Sequence, residues 1–351
     1  MKRLAVLAAL LAVCGAGVSH AAPAPAQPPL AQPASWAAAQ IRTVTAAGLL
    51  GGASDAFRPD DPLMRGELYE ALAALGKPVR APADPSRVVT MRELDAQLVA
   101  ALQLLPFSRR IRLAVRDAGL QPTAYLGTEA VARLLRLRTN HPQGAEELER
   151  GPSEPATRAE AAYSLARLLE LQEWELQRVR DAAGAFALPV LTEWQRQVLA
   201  RALRFVGYPY VFAGSSERPQ ELWSATGALV PAPAGFDCSG LVWRVYKLEA
   251  FAGAPGLTEL LKGRTSYAMS AEVKRAARIA LADLQPGDLV FFGPQGPRSK
   301  PSQIGHMGIA LGNGWFVHSS DEGVALQVLD GWYAGRFAWA RRPLAEAGLG
   351  A

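Results

Sequence analysis

Cysteine is nearly absent from this 351-residue chain: two occur, Cys14 and Cys238. That scarcity excludes a disulfide framework and any zinc site assembled from several thiolates, so stability has to come from packing. Histidine is almost as rare, with four: His20, His141, His306 and His318. Beyond the N-terminus there is no uninterrupted run of the roughly 18 apolar residues that a membrane helix needs. Nor is there a block of Lys and Arg interleaved with aromatics, and the formal charge of +5 is a mild surplus, so nucleic acid is a poor partner. The 26 prolines and 32 glycines follow no period and half of the residues are hydrophobic, which excludes both a collagen-like chain and wholesale disorder. The length allows about two domains with cores of their own.

Residues 1–21 have the plan of a secretory signal peptide: basic Lys2 and Arg3, an apolar stretch from Leu4 to Val13, and small residues around Ser19-His20-Ala21. Leu11-Ala12-Val13-Cys14 resembles a lipobox, but Val13 stands where that pattern wants Gly, Ala or Ser, so a wall-associated or extracellular protein is expected over a lipoprotein anchored at Cys14. The mature chain is then exported, has no membrane span, and keeps one thiol, Cys238, and three histidines. Residues 22–34, rich in Pro, Ala and Gln, read as an extended linker.

Residues 35–180 read as helical. Trp36, Ile41, Val44 and Leu49-Leu50 predict a helix closed by Gly51-Gly52, and Arg58-Pro59-Asp60-Asp61-Pro62 turns into a second helix from Met64 to Leu75. The second element recurs imperfectly. Met64-Arg65-Gly66-Glu67, Thr90-Met91-Arg92-Glu93 and Thr157-Arg158-Ala159-Glu160 each open an amphipathic run, a spacing that local capping also favours. A further helical stretch is expected from Leu168 to Arg180, an Ala-rich turn over 181–189, and a helix from Thr192 to Phe205. These segments resemble the S-layer homology repeat, best over Trp36 to Gly76 with Phe57, Pro59, Arg65 and Glu67. The resemblance implies a three-lobed all-α module that binds cell-wall polymers, with Arg65 and Arg158 as ligand-facing candidates. The alternative for both is a solvated residue at a helix start. The interval from Thr90 to Thr157 is much longer than that from Met64 to Thr90, so the repeats are irregular.

From residue 192 to 343 the composition changes to strand-like and Gly-rich segments. Phe236-Asp237-Cys238-Ser239-Gly240 leads into the amphipathic run Leu241, Val242, Val245, Tyr246, which puts Cys238 where a turn feeds a helix. Unpaired N–H groups and the helix dipole there favour a thiolate and can hold an oxyanion. A lone Cys is often a small buried hydrophobe, but polar neighbours speak for reactivity. Asp288 to Gly293 reads as a buried strand, and Gly305 to His318, interrupted by Gly312-Asn313-Gly314, as a hairpin. A three-residue loop centred on Gly312 sets His306 directly opposite His318, and another loop length shifts them by a residue or so. Either way the two come together as a general base and its orienting group. Two His and one Cys are also zinc donors, but the spacing matches no usual structural site, so neither metal nor cofactor is expected.

These segments together resemble the NlpC/P60 family of papain-like cysteine peptidases. The ordered matches are Gly207-Tyr208-Pro209-Tyr210, Phe236-Asp237-Cys238-Ser239-Gly240, Arg264-Thr265-Ser266, Leu284-Gln285-Pro286-Gly287-Asp288, Gly305-His306-Met307-Gly308 and His318. The implied fold is α+β, with the nucleophile's helix packed on an antiparallel sheet. Carried over by the resemblance, Cys238 is the nucleophile, His306 the base and His318 the third polar member. Tyr210 borders the site, and Asp237 and Ser239 are candidate substrate contacts. The implied reaction is cleavage of the γ-D-glutamyl bond to the diamino acid of peptidoglycan stem peptides through an acyl-enzyme. The alternative is a wall-binding protein whose peptidase-like domain is idle. Two features depart from the family pattern: Met269 stands where Gln is common, and the insert 215–235 is long and expected to form a rim or lid. His141, in the polar loop Asn140-His141-Pro142, is assigned no role.

Overall fold

Polar caps meeting apolar stripes start most helices of the N-terminal half. The computed structural model describes residues 35–51, 57–142, 144–224 and 226–350. The expected leader, linker and Cys14 lie outside the described residues. The helical part comprises α1 (Ala38–Ala46), α2 (Arg65–Ala74), α3 (Met91–Ala101), α4 (Leu105–Asp117), α5 (Leu126–Leu134), α6 (Arg158–Glu170) and α7 (Glu173–Ala185). At the starts of α2, α3 and α6, the Glu67 and Glu93 carboxylates accept from the N–H of Met64 and Thr90, and the Thr157 hydroxyl accepts from the N–H of Glu160.

Those three helix starts close a ring. The N–H of Leu63 donates to the carbonyl of Ala156 (2.8 Å), Ala156 to Val89 (2.9 Å), and Val89 back to Leu63 (2.9 Å). One rung further, Arg65 donates to Arg87, Met91 to Glu154 and Arg158 to Asp61, so Arg65, Met91 and Arg158 hold equivalent positions. The long interval between the second and third helix starts is occupied by α4 and α5, which pack on each other, with α5 also against α3.

Two expected helix boundaries move. The stretch expected from Leu168 to Arg180 is broken after Glu170, where Gln172 and Glu175 cap a new helix. That helix, α7, runs on through Ala182, Ala183 and Ala185, since alanine sustains a helix and does not turn it. The first helix stops at Ala46, because Gly48 at φ +71 lets the N–H of Leu49 fold back to the carbonyl of Val44.

The C-terminal part continues with α8 (Glu193–Leu203), β1 (Ser215–Ser216), β2 (Gln220–Trp223), β3 (Leu229–Ala232), β4 (Gly235–Phe236), α9 (Cys238–Tyr246) and α10 (Ser266–Ala271). Then come β5 (Leu289–Phe292), β6 (His306–Gly312), β7 (Trp315–Ser320), β8 (Gly323–Val328), α11 (Gly331–Arg336), β9 (Phe337–Arg341) and α12 (Pro343–Glu346). Strands β5 to β9 form one antiparallel sheet in the order β8-β7-β6-β5-β9. Leu241, Val242 and Val245 of α9 are buried in the same core as Met307, Ile309 and Val317, so the Cys-bearing helix lies on β6 and β7, the packing expected for it.

From Ser35 onward the helical part and the sheet pack as one compact unit. Helix α5 lies against β8. At that seam the buried Arg133 donates to Asp95 (3.1 Å) and to the carbonyl of Gly207 (2.6 Å). Gly207 has φ +106, and a Cβ there would fall 2.4 Å from a carboxylate oxygen of Glu129, so only glycine fits.

Candidate active site

Cys238 is the first residue of α9, and the side chain of Asp237 caps that helix by accepting from the N–H of Gly240. Asp237 also accepts from the Ser239 hydroxyl (2.8 Å) and from Arg264 (3.2 Å), while Arg264 donates to Ser239 (2.8 Å) and to the carbonyl of Ala213 (2.9 Å). The cap is thus locked from beneath by a guanidinium 27 residues away in sequence. A Cβ on Gly240 would lie 1.9 Å from the carbonyl of Gly214, which is why glycine follows Cys238-Ser239.

Strands β6 and β7 carry the two histidines. The pairing Ile309 with Val317 and Ala310 with Phe316 puts Gly308, not His306, across from His318. The expected directly opposite pair is therefore displaced to a diagonal on one face. The cause is a two-residue Asn313-Gly314 turn with both φ positive, plus a bulge between Ala310 and Gly312. A Cβ on Gly308 would sit 3.1 Å from that of His318, and its absence lets the imidazole lean toward His306. His306 Nε2 and His318 Nδ1 are 2.8 Å apart. The main-chain N–H of Met307, next to His306, reaches the sulfur of Cys238, so the strand that carries His306 runs past the thiol.

Burial governs the charges. It pushes the Cys238 thiol up to about 12, the Asp237 carboxylate pushing the same way, while the N–H groups of Met307 and Ser239 oppose both. It pulls His306 down to about 4, and burial together with His306 holds His318 well below the ordinary histidine value. The thiolate preference expected of a helix start is therefore outweighed, and thiol and imidazoles rest neutral. Burial likewise raises Tyr210, with the charges of Cys238 and Asp237 adding to it, so its phenol stays protonated.

Cys238, His306 and Tyr210 line one cavity of about 760 Å³, with Tyr333 edge-on to the His318 ring and tilted beside that of His306. Asp237 and Ser239 do not line it. They are buried and spent on the cap and on Arg264, so they position Cys238 where direct substrate contact was expected of them. Arg158 is not ligand-facing: it is 5% exposed, pairs with Glu67, and donates to the carbonyls of Phe57 (2.7 Å) and Leu50 (2.7 Å). Arg65 is partly exposed, donates to Glu93 (2.8 Å), and lines a separate cavity of about 330 Å³ with Tyr69, Arg80 and Tyr125. The insert folds as the β2–β3 hairpin against the short turn Glu146–Leu148, whose Glu146 lines the cavity that holds Cys238, so the hairpin braces the rim.

The far wall of the cavity, including Arg136, Asn140 and His141, comes from the segment after α5 and was missed in the sequence. Asn140 donates to the carbonyl of Ser320 (3.1 Å) and accepts from the N–H of Tyr210 (3.3 Å), joining two loops of the site. His141 is buried between Glu149 (3.2 Å) and Glu160 (3.1 Å). Burial opposes its charge, but the two carboxylates prevail and raise it to about 9. The expected polar loop is a buried ion cluster. Its only local sequence signal was a histidine a few residues before Glu146, Glu147 and Glu149.

A helix-borne thiol, an imidazole backed by a second, buried imidazole on the neighbouring strand, and a phenol are thus gathered at one cavity. Residues 207–342 match the model of the NlpC/P60 family, so the chain carries an NlpC/P60 domain over that stretch. It is similar to "Murein DD-endopeptidase MepH" of Escherichia coli (strain K12), 33% identical over 128 residues that make up 36% of this chain and 37% of that protein. It is also similar to "Bifunctional muramidase/DL-endopeptidase CwlT" of Bacillus subtilis (strain 168), 32% identical over 142 residues, 40% of this chain and 34% of that one. The chain thus spans about a third of the length of these curated relatives. Among solved structures it is similar to RipD of Mycobacterium tuberculosis, described as "a non-catalytic NlpC/p60 domain protein, adaptation to peptidoglycan-binding function". That likeness has 22% identity, covers 43% of this chain and 98% of that one, and has a TM-score of 0.31.

Proposed function

We propose that the protein is an exported cysteine endopeptidase that cuts peptidoglycan stem peptides at the γ-D-glutamyl bond to the diamino acid. The observation that carries this is the hydrogen bond between the buried His318 and His306, which lines the same cavity as Cys238. With Nε2 of His306 donating to Nδ1 of His318, Nδ1 of His306 is the acceptor nitrogen and takes the thiol proton as sulfur attacks the scissile carbonyl. The N–H of Cys238 and the protonated phenol of Tyr210 receive the oxyanion. His306 returns the proton to the leaving amine, and water then releases the acyl group by the same path reversed. The peptidoglycan substrate is supported by the relatives named as a murein DD-endopeptidase and a bifunctional muramidase/DL-endopeptidase. Export follows from the substrate's place and from the pattern of residues 1–21. Wall polymers are bound by the helical part at the cavity beside Arg65.

A second reading, an idle wall-binding domain, draws on the burial of Cys238, which disfavours its thiolate. One experiment decides. Defined muropeptides incubated with the protein and weighed by mass spectrometry should show a cut between D-glutamate and the diamino acid, abolished in Cys238→Ser with an unchanged unfolding midpoint. Muropeptides that bind but stay whole would establish the idle domain, and a cut elsewhere would reassign the bond.

A further inference from the structure

A second depression opens out of the catalytic cavity. About 680 Å³ in volume, it runs between α7 and the β8–α11 segment and shares Arg136, Glu322, Trp332 and Tyr333 with the cavity that holds Cys238. Two indoles stand in water along it: Trp332, 58% exposed, where the two spaces meet, and Trp174 of α7, 65% exposed, further out. Large aromatics left in solvent within one groove mark a contact surface, because each would otherwise be buried in a core. The charges around them are matched in pairs. Arg136 faces Glu322 (3.2 Å), Arg178 faces Asp330 (3.4 Å) across the groove, and Arg167 binds Glu175. The groove therefore offers fixed donors and acceptors with little net charge, which repels no neutral polyol and attracts no polyanion. Indole faces complement the flat C–H faces of pyranose rings, and the paired ions complement their hydroxyl and amide groups.

We propose that this groove binds a neutral pyranose chain, the glycan to which the cleaved peptide is attached, running outward from Trp332 to Trp174. The proposal rests on the reading of the cavity as a stem-peptide site, since the groove begins where that cavity ends. Isothermal calorimetry with a soluble N-acetylglucosamine tetramer, which has no peptide to cut, tests the groove alone. The wild-type protein should bind it saturably, Trp174→Ala should weaken binding about tenfold, and Trp174→Phe should restore most of it. Absence of binding, or equal affinity in Trp174→Ala, overturns the proposal. In hydrolysis, the ratio of kcat/KM for a glycan-linked stem peptide to that for the same peptide without sugar should fall about tenfold in Trp174→Ala. An unchanged ratio counts against the groove. If neither peptide is cut, the endopeptidase reading fails while the tetramer titration still decides the glycan site.

Discussion

His141 and His306 line the same cavity, one supplied by the helical part and one by the sheet, yet their surroundings drive them in opposite directions. Around His306 stand Phe292, His318 and Tyr333, which offer no negative charge, so burial alone sets the sign and the imidazole stays neutral. Around His141 two buried carboxylates reverse the sign and hold the imidazolium. In the proposed reaction His306 accepts a proton and so has to be empty at working pH, whereas a group that ties two acids together has to be full. The carboxylates thus separate the two roles more sharply than depth of burial does.

Removing His306, the proposed base, should have the largest effect. His306→Ala is expected to lower kcat/KM on a muropeptide about a thousandfold with the unfolding midpoint near wild type. A loss shared equally by fold and activity would make His306 a packing residue.

The charged histidine should show itself in stability. Its folded pKa of about 9 lies above the ordinary 6.5, so its contribution is complete below pH 6.5 and is lost as pH rises through 9. Denaturant titrations at pH 6 and pH 9.5 should differ by up to about 3 kcal/mol in the wild type beyond the difference in His141→Gln. Equal differences in the two proteins would mean that His141 is neutral throughout. The smallest effect belongs to His318→Gln, expected to lower kcat/KM about tenfold, because Gln can still accept the hydrogen bond that orients His306. A loss larger than that of His306→Ala would exchange the two roles.

The placement of Cys238 at a helix start and of His306 and His318 on neighbouring strands was legible because each sits in a short pattern whose meaning is local: a turn entering a helix, and two strands joined by an Asn-Gly turn. The diagonal register escaped because it depends on a bulge that no residue type announces. Asp237 and Ser239 looked free in sequence, and only Arg264, brought from 27 positions away, turns them inward. Asn140 could not be found at all, since its partner Ser320 lies 180 residues further on. The three helix starts were visible as imperfect echoes, but burial of Arg158 depends on Leu50, Phe57 and Glu67 converging on it from about a hundred residues earlier in the chain.

The ring of Leu63, Val89 and Ala156 has a consequence for how this chain can be assembled or shortened. A linear array of repeats tolerates the loss of a unit, because each touches only its neighbours. Three segments that each donate to the next and accept from the last have no end unit to remove. Deleting any one leaves a buried donor and a buried acceptor unpaired in the other two. The last link, Leu63 to Ala156, closes only after α4 and α5 have been enclosed between them, so the helix that docks on β8 is held inside the longest arc of the ring. Folding of the helical part should then be slow, set by that distant closure, and all-or-none across the three linked segments.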